Sequence, residues 1–336
     1  MSDLIKAVKG TFGGKRIVIA GDLVADQFLS GSISRVSREA PVFILKHQNT
    51  QTRPGGAANA AANVASLGGT PLLIGVIGDD ENGDALRDSL DKSGVSTHLV
   101  KTNSGGITTT KVRVLAGQHY SAKQQVIRID YENDALFDNV IRRHLIDKLR
   151  SAAADANAIV VSDYGYGVVD EELYAEALRL STELSIPLVV DSRFRLPKFT
   201  GATSATPNQE EVENILGAGF ADTDCSNLCR ELGYRSLLVT CGNKGMSLYE
   251  GGRDAVMIPA IGPAEPVDVT GAGDTVIAAY SLGLAAGLSF RDAAMIANHA
   301  GGIVVMKKAT ATASRDELLN SLTNDAIPIS ASDRAA

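Results

Sequence analysis

The chain has 336 residues, 44% of them apolar and 5% aromatic, with no tryptophan; that length suits one large α/β domain or a domain with a small addition. Its net charge of −7 argues against a nucleic-acid or anionic-membrane surface. No stretch approaches the ~18 apolar residues of a membrane span, no apolar signal segment follows Met1, and three cysteines form no even disulfide framework, so a cytoplasmic protein is expected.

In chain order, residues 15–20 read as a first buried strand that ends in Gly21-Asp22. Asp22 and Asp26 follow it, four apart, and free carboxylates at a strand's carboxyl end are natural acceptors for a ligand's hydroxyl protons. Segments 32–48 and 107–131 alternate apolar and polar residues, with β-branched Thr108, Thr109, Thr110, Val112 and Val114; they predict a small antiparallel lid. Between them, Arg53-Pro54-Gly55-Gly56 turns into a helix of Ala, Asn and Val, whose small side chains permit close approach of backbone or ligand. Asn59 and Asn63 share one face of that helix. Asn59 is expected to contact a ligand, and Asn63 to cap or bridge.

Further strands are predicted at 71–77, 158–161, 187–190 and 236–240. Helices are predicted at 83–92, 138–153, 170–184, 210–216, 222–232, 273–286 and 289–307. This alternation implies a mostly parallel sheet covered on both faces, with ligands at the carboxyl ends of its strands. Cys225 and Cys229 lie one helical turn apart without a second Cys or His pair, so they are read as packing residues.

The stretch Asp268-Val269-Thr270-Gly271-Ala272-Gly273-Asp274-Thr275 carries the chemistry. Its glycines allow a tight turn, and the apolar run behind them reads as a buried helix whose unpaired N–H groups form an anion site. A carboxylate there repels an anion unless it takes a proton from a group attacking that anion. Asp274 therefore suits phosphoryl transfer to a hydroxyl, while the motif taken alone is equally a turn followed by a first-turn Asp favoured by the helix dipole. A dinucleotide fold is excluded because Gly21-Asp22-Leu23-Val24-Ala25-Asp26 has acids where glycines are required. A Walker A loop is excluded because Gly10 to Arg16 has the wrong spacing and lacks the hydroxyl.

The two glycine turns, in this order and separation, resemble those of the PfkB (ribokinase-like) carbohydrate kinases, from about Gly14 to about Leu322. Within that family, Ile33 to Val42, Arg53 to Asn59, Gln125 to Asp130 and Ala297 to Val305 look like the kinase domain of bacterial heptose 7-phosphate kinases. The resemblance implies a three-layer α/β/α ribokinase-like fold over residues 1–325, with the lid inserted and a disordered tail at 326–336. It implies ATP and Mg²⁺ as cofactors, Asp274 as general base, and Gly271, Ala272 and Gly273 as the amides facing the moving phosphoryl group. Asp22, Asp26, Gly55, Gly56 and Asn59 would contact the sugar.

Asn208 and Glu211 would organise Mg²⁺ and phosphate, Glu211 through water. Thr240, Gly242 and Gly245 would lie on the nucleotide side, and Asn298 would face the base or equally cap a neighbouring loop. Lys111, Arg113 and Arg128, with Arg35 and Arg38, would supply cations for a sugar phosphate, and the lids would join two copies as a homodimer. Two departures stand out: Ser192-Arg193, where relatives carry Pro-Lys, and Tyr166, where they often carry Lys. No His-x-Gly-His marks a nucleotidyltransferase, so only the kinase step, heptose 7-phosphate to 1,7-bisphosphate for lipopolysaccharide synthesis, is expected. The alternatives are a sister kinase of ribose, fructose or a ketodeoxy acid, or a silent nucleotide-sensing protein.

Overall fold

The computed structural model describes residues 2–117, 123–132, 137–263 and 265–326. The chain opens with α1 (Ser2–Gly10) and β1 (Arg16–Gly21), and β2 (Leu23–Val36) begins after a single residue. β3 (Phe43–Gly56) hands over directly to α2 (Ala57–Ser66), followed by β4 (Thr70–Ile74), β5 (Val76–Gly78), α3 (Glu81–Lys92), β6 (Lys101–Asn103), β7 (Thr110–Gly117) and β8 (Gln124–Tyr131). Next come α4 (Asn139–Ala153), β9 (Ala158–Asp163), α5 (Glu171–Leu184), β10 (Leu188–Ser192), β11 (Ser204–Ala205), α6 (Gln209–Leu216), α7 (Asp222–Glu231) and β12 (Ser236–Thr240). β13 (Met246–Glu250), β14 (Val256–Ile258), α8 (Ala272–Ala285), α9 (Phe290–Val304) and α10 (Arg315–Ala326) complete it.

Helix starts are written locally. Asp80, Asp138, Asp170, Asn208 and Ser289 each accept a bond from a first-turn N–H of the helix that follows, and such a cap contributes ~1 kcal/mol.

The main sheet has the order β14-β13-β12-β11-β10-β9-β1-β4, parallel from β4 to β12 and antiparallel beyond. Alternation along each central strand feeds two apolar layers. Ile17, Ile19, Ala158, Val160 and Val189 pack with α2, α8 and α9, whereas Val18, Ala20, Ile159, Val161, Leu188 and Val190 pack with α4, α5 and α7. Burying both faces of a strand is what a run of Val and Ile dictates.

The strand order reverses at β1, which lies between β4 and β9. The carboxyl ends of β1, β9, β10 and β12 open on the crevice that such a reversal creates.

The lid differs from the sequence expectation. It is a four-stranded sheet, β3-β2-β7-β8, in which β2 pairs with β7 in parallel. Its first two strands extend back to Leu23 and on to Gly56, so the lid is rooted in the turns after β1 and before α2 and is not a separate projection. Alternation marks a half-exposed strand but is silent about which neighbour it pairs with.

Helices α1 and α10 and strands β6, β11, β13 and β14 escaped the sequence reading. The chain stays helical to Ala326, past the expected end at residue 325; residues 327–336 of the expected tail lie outside the described residues. Among the described residues, no helix is long and apolar enough to cross a membrane.

Candidate active site

Asp274 sits in the first turn of α8 and is 2% exposed. Asn59 Nδ2 donates to its Oδ2 at 2.8 Å, and the Tyr164 hydroxyl donates to its Oδ1 at 2.8 Å. Burial pushes its pKa up to about 7; the bonds from Asn59 and Tyr164 pull down, and the charge of Asp26 pushes up. A carboxylate poised near neutrality is what a general base requires.

Gly271, the N-cap of α8, has φ 78°. A Cβ there would stand 2.5 Å from Asn59 Nδ2 and 2.7 Å from Thr310 Cγ2, so the left-handed turn and the close approach both demand glycine. The Ala272 N–H does not face outward as expected, because it closes the turn on Val269 O at 3.2 Å. The N–H groups of Gly271 and Gly273 have no partner among the described residues, so the anion-facing set contracts to those two.

Asp22 is a correction. Its carboxylate is 1% exposed and accepts from the backbone N–H of Tyr164 (2.8 Å), Tyr166 (3.1 Å) and Val168 (3.0 Å). It is not a free acceptor but the clamp of the loop after β9. Asp163 clamps the same loop from behind, paired with Arg195, whose guanidinium also donates to Val169 O at 2.8 Å.

Asp26 lies within β2, in register with Arg53 on β3 and Lys111 on β7. It pairs with Arg113 and accepts from Thr310 Oγ1 at 3.2 Å. Gly55 leaves room for it, since a Cβ there would stand 2.7 Å from Asp26 Oδ2. Gly56 caps α2 and packs beneath the Tyr164 ring.

Asn59 is also corrected. It is 1% exposed, and its amide is engaged by Asp274, by Gly271 O at 3.3 Å and by Asn63 Nδ2 at 3.2 Å. It holds the Asp274 carboxylate rather than standing open to a ligand.

Lys111, Arg113 and Arg128 are each held by acids of the same chain, whereas Arg35 and Arg38 have no ion pair among the described residues. Lys111 bonds Asp130 at 3.2 Å and the Tyr166 hydroxyl at 2.7 Å, Arg113 pairs with Asp26, and Arg128 bonds Asp130 at 2.9 Å. Tyr166 thus anchors Lys111.

Two cavities meet at the N-terminal end of α8. An apolar one of about 190 Å³ is lined by Thr240, Gly242, Gly245, Ile261, Val276 and Asn298. Asn298 Nδ2 donates to Pro259 O at 2.7 Å, so it caps a neighbouring segment while lining the cavity. A polar cavity of about 260 Å³ is lined by Tyr164, Asp191, Arg193, Asn208, Glu211 and Gly273. The two share Thr240, Val269, Ala272 and Gly273.

Asn208 and Glu211 form a reciprocal capping box at 2.9 Å in both directions, which satisfies the start of α6 and leaves their remaining lone pairs toward the cavity. Asp191 has no hydrogen-bond partner among the described residues; burial, then the charges of Glu211, Asp274 and Asp163, raise its pKa well above the usual carboxylate range. Burial also raises Glu211, against the bond from Asn208 and the charge of Arg193. Among the described residues, no three His, Cys, Asp or Glu side chains cluster tightly enough to cage an ion. Cys225 and Cys229 are buried.

Sequence reasoning missed Tyr164 and Thr310 as site residues. Tyr164 carried a signal, since it follows a strand's carboxyl end in a Gly-containing loop. Thr310 carried none: its bond to Asp26 spans 284 positions.

The profile of the pfkB family carbohydrate kinases matches residues 25–317. The chain is 40% identical over 310 residues to a protein of Citrifermentans bemidjiense named bifunctional protein HldE, covering 90% of this chain and 62% of that one. It is 41% identical over 318 residues to the protein of the same name from Alkalilimnicola ehrlichii, covering 93% and 64%. It therefore spans less than two thirds of the length of either relative.

Among solved structures it is similar to Arabidopsis thaliana ribokinase complexed with ribose and ATP (TM-score 0.71, 20% identity, covering 92% of this chain and 99% of that one). It is also similar to Escherichia coli phosphofructokinase-2 in complex with potassium (TM-score 0.75, 18% identity, covering 94% and 100%). At such identities the likeness shows the fold, which is ribokinase-like.

Proposed function

Because the chain belongs to the pfkB family of carbohydrate kinases, we propose that it transfers the γ-phosphoryl group of ATP to the anomeric hydroxyl of D-glycero-D-manno-heptose 7-phosphate. The product would be the 1,7-bisphosphate, a precursor of lipopolysaccharide made in the cytoplasm. The chemistry rests on one observation: a buried carboxylate with a pKa of about 7 follows directly on the turn Gly271 to Gly273, which lines the polar cavity and whose two glycine N–H groups have no partner among the described residues. The heptose reading is supported by the similarity to the HldE proteins.

The apolar cavity takes the adenine and ribose, and the polar cavity takes the phosphates. Asp274 accepts the proton of the C1 hydroxyl as its oxygen bonds to the γ-phosphorus and ADP departs. The N–H groups of Gly271 and Gly273 meet the charge on the moving group. Arg193 lines the polar cavity and has no ion pair among the described residues; its guanidinium is the cation free to meet phosphate there.

Asp191, without a hydrogen-bond partner among the described residues, and Glu211, which keeps free lone pairs beside its capping box, suit Mg²⁺ held mainly by water and phosphate, as that ion prefers. Bound there, Mg²⁺ would neutralise phosphate charge. The exposed apolar residues of the lid, among them Phe43, Ile127, Ile129 and Tyr131, support pairing of two copies.

Internal pairing of Lys111, Arg113 and Arg128 favours a second reading, a sister kinase for an unphosphorylated sugar. ATP consumption across sugars with and without terminal phosphates separates the two. The heptose reading requires heptose 7-phosphate to give the highest kcat/KM, and a preference for free ribose or fructose overturns it. Asp274→Asn should bind ATP yet turn over at least about 100-fold more slowly; undiminished turnover removes the base assignment.

A further inference from the structure

The base is not open to substrate as it stands, because both oxygens of Asp274 are engaged. Its amide partner has nowhere to go. Asn59 is locked by Gly271 O and by Asn63, whose Oδ1 in turn accepts from the Ala313 N–H at 3.2 Å. The phenol differs. Tyr164 is half-buried and lines the polar cavity, and its hydroxyl has no partner but Asp274 among the described residues. Its backbone is fixed by the Asp22 clamp, so the ring is an arm whose side-chain torsions alone are free.

We infer that Tyr164 is a positioning residue for phosphoryl transfer: at rest its hydroxyl donates to Asp274 Oδ1 and keeps that carboxylate ionised and aligned, and on substrate binding it yields that oxygen to the acceptor hydroxyl of the sugar. This deepens the function proposed above and rests on Asp274 being the base. An alcohol must reach hydrogen-bond distance of a carboxylate oxygen before losing its proton. With Oδ2 fixed to Asn59, Oδ1 is the oxygen that can change partner.

The charged groups facing Asp274 are Asp26 on β2 and Asp191 on β10, both of like sign. Without a donor at Oδ1 the carboxyl would retain its proton at higher pH. The phenol does not compete as an acid, because burial and the charges of Asp274, Asp191 and Asp26 hold its pKa well above the ordinary range.

Tyr164→Phe keeps the ring over Gly56 and removes one hydroxyl. Carbon-13 NMR of aspartate carboxyls in the ligand-free protein needs no substrate, and the Asp274 signal is identified by its loss in Asp274→Asn. In Tyr164→Phe that signal should titrate about one pH unit or more higher. With 3-fluorotyrosine at position 164, a stronger donor of nearly the same shape, it should titrate lower; this second protein serves if Tyr164→Phe does not fold.

With ATP and whichever sugar the wild-type protein phosphorylates, the acidic limb of kcat/KM reports the free enzyme and should follow the NMR shift. The limb of kcat reports the substrate complex, where the phenol has already left, and should move much less. A carboxyl signal that does not move overturns the role of Tyr164. A signal that moves while neither limb follows overturns the base reading instead. Equal shifts in both limbs mean the phenol stays on Asp274 in the complex, and they overturn the exchange of partners.

Discussion

Gly271 and Asp274 show how residue-scale chemistry was legible and where legibility stopped. A Cβ at Gly271 would enter the space of Asn59 Nδ2 and Thr310 Cγ2 on a backbone with φ 78°. Gly271→Ala should therefore lose about 1–3 kcal/mol of stability, visible in urea unfolding, and should lower kcat through the displaced Asn59. Asp274 makes an opposite prediction. Its pKa is raised from an ordinary 3.8 to about 7, so its contribution to stability is fully present below the lower value and is lost as pH rises through the higher one. Asp274→Asn, which cannot ionise, should then be more stable than the wild type at pH 8, by up to about 4 kcal/mol, and less so at pH 5; unfolding at the two pH values checks this. The glycine turn and the acid behind it were readable because they are local backbone chemistry. That Asn59 serves Asp274 was not, because the partners lie 215 positions apart.

Among the elements, the lid depends most on pairings that alternation cannot specify. Parallel pairing of β2 with β7 sets Asp26 beside Lys111 and two residues from Arg113. Charges that a sequence offers to a ligand are thereby consumed within the sheet. Asp26 and Arg113 have side chains 7% and 12% exposed, and removing one partner leaves the other buried and uncompensated. Arg113→Ala should cost about 3–5 kcal/mol, lowering the thermal midpoint. Arg128, 45% exposed in its pair with Asp130, should cost no more than about 1 kcal/mol when replaced by alanine. A rise in KM for a phosphorylated sugar in Arg128→Ala would therefore report lost substrate contact, and an unchanged KM would favour the phosphate-free reading. Helices with side-chain caps were placed closely from sequence. The edge strand β14 was missed because three residues give no usable period.

At the scale of the whole molecule, alternating βα units were enough to read a parallel sheet covered on both faces, because Val- and Ile-rich strands leave no face for water. They did not reveal that the lid grows out of the site, and this bears on assembly. Every residue of β8 is exposed, and Ile127, Ile129 and Tyr131 alternate onto one face of it at 54%, 42% and 49% exposure. An uncovered apolar edge strand invites pairing with another chain. Because Lys111 and Arg113 on β7 reach toward Tyr166 and Asp26, covering this edge would also hold in place the wall proposed to face the sugar. Sedimentation at micromolar concentration should show a dimer of the wild-type chain, and Ile127→Asp with Ile129→Asp should give a folded monomer with a raised KM for the sugar. A wild-type monomer under those conditions would remove the lid as an interface. A monomeric variant with unchanged KM would separate assembly from catalysis.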